Sequence, residues 1–116
     1  MRVAILSALA VLTTACVSQR WPNYDASLYA ISTEPGAPAY EAHAKLLEAW
    51  SGDEGGLPPG LAAEEGFYVG LLGRFDQAQV LFDLEVKRYP ESAAFVAALR
   101  ELVIPHEASA AVKATP

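Results

Sequence analysis

Apolar residues return at helical spacing in five stretches of the chain, each bracketed by proline, glycine or a polar break. The first opens at Asn23-Tyr24-Asp25, with Asn23 as the expected N-cap and Asp25 near the positive end of the helix dipole. It runs to about Ile31, and Ser32-Thr33-Glu34-Pro35-Gly36 breaks it. The second begins around Pro38, a residue suited to the first helical position. Tyr40, Ala44, Leu47 and Trp50 share one of its faces, and Gly52 is its expected C-cap. Asp53-Glu54-Gly55-Gly56 and Pro58-Pro59-Gly60 form a loop. The third helix is predicted from about Leu61 to Leu72. Ala62, Gly66 and Gly70 put small residues on one face, which admits a neighbouring helix closely, and Gly73 ends it. The fourth runs from about Phe75 to Tyr89 and has the strongest pattern: Phe75, Ala78, Phe82, Val86 and Tyr89, with Pro90 as the stop. The fifth runs from about Ser92 to Val103, with Val96, Leu99 and Val103 inward and Pro105 closing it.

No stretch sustains a period of two, so the expected fold is all-α, with antiparallel helices joined by short loops. The helical domain is expected over residues 23–104, and the small, Ala-rich segment 105–116 is expected to be a disordered tail.

Pro59 to Pro90 resembles one tetratricopeptide repeat, a helix-turn-helix unit. Gly66, Gly73, Ala78, Phe82 and Pro90 fall at its favoured spacings, while Ala62, Glu65 and Val69 replace its usual tryptophan, leucine and tyrosine. Asn23-Tyr24-Asp25-Ala26-Ser27 echoes Arg74-Phe75-Asp76-Gln77-Ala78, which casts the Tyr24 helix as the second half of a degenerate repeat. A lone repeat cannot bury its own face, so flanking helices are required. In the repeat register Gly60, Ala63, Phe67, Gly70 and Leu71 take the positions that line the concave groove of tetratricopeptide proteins. They are the expected partner-binding residues. The competing expectation is that the Tyr24 helix or the fifth helix fills that space.

The N-terminus has another design. Met1-Arg2, an apolar run from Val3 to Leu12 and Thr13-Thr14-Ala15 form a secretory leader ahead of Cys16, the chain's one cysteine. The run is too short to cross a bilayer, which needs about 20 apolar residues. Ala15-Cys16 resembles the lipobox of bacterial lipoproteins, with Thr13 where leucine is favoured. That resemblance implies residues 1–15 as a cleaved signal peptide, Cys16 as the lipid attachment site, and residues 16–22 as the acylated N-terminus and tether. Stable anchoring takes more than one acyl chain, which lipoprotein cysteines carry. Val17 rather than aspartate after the cysteine points to the outer membrane, on its periplasmic face.

Charge narrows the function. The chain carries a formal −6, a poor match to nucleic acid, which calls for clustered Lys and Arg. A single cysteine excludes an intrachain disulfide. No phosphate loop, HExxH or GxSxG motif is present, so no catalytic residues, metal or cofactor are expected. His43 reads as a partly exposed helix residue, and Glu64-Glu65 and Asp53-Glu54 as solvated surface. Trp21 and Tyr24 beside the anchor form a second candidate contact, with Trp21 equally suited to the core or to lipid headgroups.

Trp21-Pro22-Asn23-Tyr24 with Ser27-Leu28-Tyr29, Pro58-Pro59-Gly60-Leu61-Ala62 with Glu64 and Gly66, Phe75-Asp76 with Ala78, Phe82 and Glu85, and Tyr89-Pro90-Glu91-Ser92 together resemble a family of small uncharacterised bacterial lipoproteins with tetratricopeptide-like domains. The resemblance covers roughly Trp21 to Leu102 and departs at Pro22, where glycine is common. It implies an envelope assembly with a CsgG-like secretion lipoprotein and another small envelope lipoprotein as possible partners. The function expected is a lipid-anchored, non-enzymatic adaptor. The alternative is an enzyme or enzyme subunit acting on cell-wall material.

Overall fold

A computed structural model describes residues 21–52 and 56–107. The leader, Cys16, the centre of the acidic loop and the end of the tail lie outside the described residues. Those described form five α-helices and no strand: α1 Tyr24–Thr33, α2 Ala37–Ser51, α3 Leu61–Leu71, α4 Phe75–Arg88 and α5 Ala93–Val103. Pro90–Ser92 form a 3₁₀ turn between the last two. The all-α expectation holds, with boundaries within a residue or two of those read from the punctuation.

One N-cap differs from expectation, and another helix start is capped by a neighbouring helix. Asn23 precedes α1 but caps it with no side-chain hydrogen bond, and its backbone is left-handed at φ 69°. Asparagine tolerates that region better than most residues. Trp21, just before it, lies edge-on to Trp50 with ring centroids 5.1 Å apart. The folded unit therefore includes Trp21, ahead of the expected start at Asn23. α3 is capped from outside itself. The Glu85 carboxylate of α4 accepts from the Gly60 N–H at 2.8 Å and the Ala63 N–H at 3.3 Å. These are donors that a helix cannot satisfy internally.

Gly73 makes the α3–α4 turn. At φ +83° it is left-handed, and Gly73 N–H bonds to Gly70 C=O at 3.0 Å while Arg74 N–H bonds to Val69 C=O at 3.1 Å. This paired closure is a Schellman motif. It turns α4 back along α3, and Arg74 then reaches Glu41 of α2 through two hydrogen bonds, 2.6 and 3.2 Å.

The expected small face of α3 does bring helices together. A Cβ built on Gly66 would stand 2.8 Å from the Phe82 ring, and one on Gly70 would stand 2.7 Å from Val103. Phe82 is fully buried among Ala63, Val69, Ala78 and Val96. A second cluster gathers Leu47, Trp50, Leu57 and Ala62, with Trp21 and Tyr24 against it. The three residues Glu34 to Gly36 make α1 and α2 a hairpin of their own. α5 packs on both α3 and α4. Arg100 fastens it to α4, bonding Gln79 and Asp83 and lying 5.4 Å from the Phe82 ring centroid.

Candidate functional site

Between α3 and α5 runs an apolar groove of about 510 Å³. Gly60, Leu61, Phe67 and Tyr68 form one wall, and Phe95, Leu99 and Leu102 the other. Phe95 is 52% and Leu102 73% exposed, so α5 supplies a wall of the groove and does not plug it. Glu64 is the one charged residue on the lining.

The residues expected to line a groove divide. Gly60 and Phe67 are on it. Ala63 is fully buried in the core, and Gly70 is buried beneath Val103. Leu71 is exposed but lies outside the groove. Small side chains at these positions let α4 and α5 close in on α3, as its small face predicts. The outer wall comes from Phe95, Leu99 and Leu102. Leu99, expected inward, packs against the core and also borders the groove, while Phe95 and Leu102 are exposed.

Behind the groove lies a polar chain absent from the expectations above. His43 is fully buried rather than partly exposed. Its Nδ1 lies 2.7 Å from Ser27 Oγ of α1, and its Nε2 lies 2.8 Å from Glu64 Oε1 of α3. A ring with its hydrogen on Nε2 satisfies all three groups: Ser27 donates to Nδ1, and Nε2–H donates to Glu64. Tyr24 OH also donates to Glu64, at 2.8 Å to Oε2 and 3.1 Å to Oε1. Burial and then the hydrogen bond to Glu64 hold the Tyr24 hydroxyl above its ordinary range. Burial and the Glu64 charge do the same for Tyr68. Glu64 is therefore a fixed carboxylate, tied at its back to two other helices, with its edge on the groove.

A second cavity, of about 340 Å³, lies among α2, α3 and α4. Glu48, Glu65 and Glu85 reach its lining, with Leu57, Leu81 and Tyr89 as apolar walls. Glu65 was expected in solvent. It is only 3% exposed, and its Oε2 is buried with no hydrogen-bond partner among the described residues. Burial, assisted by the Glu48 charge, pushes its carboxyl up to about 7. The available signal was its place in the repeat register, where leucine is usual.

Among the described residues no three His, Cys, Asp or Glu side chains come together as a metal site. No described helix is long and apolar enough to cross a membrane. The expected lipid attachment at Cys16 lies outside the described residues.

Residues 19–99 match the model of a family described as a domain of unknown function, DUF4810. The match spans more than half of the chain, and the chain belongs to this family. No curated protein and no solved structure matches it.

Proposed function

We propose that this member of the DUF4810 family is a lipid-anchored, non-enzymatic adaptor of the bacterial envelope. Its α3–α5 groove takes an apolar segment of another envelope protein. The observation that carries the reading is the open groove, whose α5 wall leaves Phe95 and Leu102 more than half exposed. Exposed apolar area gathered in one place is a mark of interaction surfaces. Glu64, the groove's one charged lining residue, favours a segment that brings a basic side chain opposite it. The α1–α2 and α3–α4 hairpins followed by α5 are compatible with a tetratricopeptide-like array, an architecture that binds through such grooves.

The leader ending in Ala15-Cys16 supports the anchor and a periplasmic face of the outer membrane. Confinement to a membrane raises the effective concentration of the domain near membrane partners. A CsgG-like secretion lipoprotein and a second small lipoprotein are the proposed partners. Purification from membranes of wild type, Cys16→Ser and Phe67→Ser/Leu102→Ser tests both parts. The anchor predicts acyl mass on wild type and a soluble Cys16→Ser. The groove predicts partner loss in the double variant with membrane association kept.

The relay from Ser27 through His43 to Glu64 gives the enzyme reading its one specific observation. An enzyme acting on cell-wall material would use Ser27 as nucleophile. The adaptor reading is favoured because neither Ser27 nor His43 lines either of the two cavities described, and His43 is fully buried. Cell-wall hydrolysis by wild type and its loss in Ser27→Ala would reverse that preference.

A further inference from the structure

We propose that the cavity among α2, α3 and α4 is a binding site for an alkylammonium or guanidinium group, held by the Glu65 carboxylate. The chemistry begins with a carboxylate oxygen in the wrong place. Glu65 Oε2 is buried and unpartnered, in a side chain only 3% exposed that borders an open cavity. A buried charge without a partner is unfavourable unless something neutralises it and donates hydrogen bonds to it. A ligand with a positive head bearing N–H donors does both. The Leu57, Leu81 and Tyr89 walls suit an alkyl stem behind such a head.

The other charged groups around Glu65 do not fill this role. Glu85 of α4 is already engaged, accepting from Gly60 and Ala63 N–H and, at 3.4 Å, from Ser92 Oγ. Glu48 of α2 lies on the same lining, exposed, and adds a second negative charge there. Arg88 of α4 also borders the cavity, but its guanidinium lies against Gly56, and it forms no ion pair with Glu65 among the described residues. A metal ion would need more donors than meet here, since no three ligating side chains converge among the described residues. An organic cation needs only the one carboxylate and the apolar walls.

Proton linkage gives this site a signature. Glu65 titrates at about 7, held there by burial and then by Glu48. Below that pH a cation must displace the proton; above it the carboxylate is already free. Binding should therefore release nearly one proton at about pH 6 and almost none at about pH 9.

The test is calorimetric titration of the full chain with n-pentylammonium, and with n-pentanol as the neutral isostere, in buffers of different ionisation heat. The expected result is saturable binding of the ammonium, at least about tenfold tighter than the alcohol, with proton release at the lower pH only. Glu65→Gln should weaken it by about tenfold or more, and Glu65→Leu should abolish it while the helical circular dichroism is unchanged. A lysine tripeptide as competitor separates the sources. Displacement by the tripeptide assigns a protein side chain, its failure assigns a small free amine, and either upholds the site. Equal binding of pentanol, undiminished binding by Glu65→Gln, or no saturable binding of pentylammonium would overturn it.

Discussion

Glu64 Oε1 stands 2.8 Å from His43 Nε2, and through this contact a groove residue is fixed to a fully buried ring twenty-one positions earlier in the chain. Ser27 and Tyr24 complete the arrangement from α1, so three helices meet at one carboxylate. Its removal leaves two partly or wholly buried donors without acceptors. Glu64→Ala should cost about 2–3 kcal/mol in urea unfolding, and Tyr24→Phe, which removes a donor rather than orphaning one, about 1 kcal/mol.

The tyrosine contacts also set an alkaline limit. Tyr24 and Tyr68 are held above the ordinary tyrosine value near 10. Their contribution to stability is full below the unfolded value and is lost as pH rises through the folded one. Wild type should lose stability above about pH 10, and Tyr24→Phe should lose less over the same range. Unfolding by urea at a series of alkaline pH values measures the difference.

Glu65 predicts a slope at the other end. Its carboxyl is raised to about 7, against about 4.3 in an unfolded chain. Between these values the folded state holds a proton that the unfolded state has released. Stability therefore falls as pH rises through this window and stays lower above it. Glu65→Leu should flatten the slope and be more stable than wild type at about pH 8, by about 1–3 kcal/mol.

Two glycines should respond oppositely to alanine. At Gly66 a Cβ would meet the Phe82 ring at 2.8 Å and the Ala78 carbonyl oxygen at 3.3 Å. The ring is fully buried and the carbonyl is backbone, so Gly66→Ala should destabilise by about 1–3 kcal/mol, despite alanine's better helix propensity. At Gly52 nothing lies within 4 Å of a Cβ, and φ is −81°. Gly52→Ala should stabilise by about 0.5 kcal/mol through the unfolded chain. Thermal unfolding of the two variants distinguishes them.

These residues also show what the sequence made legible. Pro38, Gly73 and Pro90 act through local backbone geometry, so the helices could be placed from neighbouring residues alone. Ala78 and Phe82 share a face of α4, and that face is buried. At the polar positions the period and the polarity of the side chain pointed opposite ways. His43 stands three residues after Tyr40 and four before Leu47, so the period of α2 placed it on the buried face; only its polarity argued for water, and the Ser27 and Glu64 partners that satisfy it arrive from other helices. Glu65 was half-legible: its register position called for an apolar side chain, while its charge argued for water, and the register prevailed. Gly60 and Phe67 reached the groove as expected. Ala63 and Gly70 did not, because small side chains drew α4 and α5 inward.

The most direct test of the adaptor account is photocrosslinking in intact cells from Leu102, on the groove, and from Lys87, exposed on α4. The account predicts a defined adduct with one envelope protein from Leu102 and none from Lys87, and its loss when Cys16→Ser frees the chain from the membrane. Adducts indistinguishable between the two positions, or none from Leu102 in lipidated protein, would contradict it.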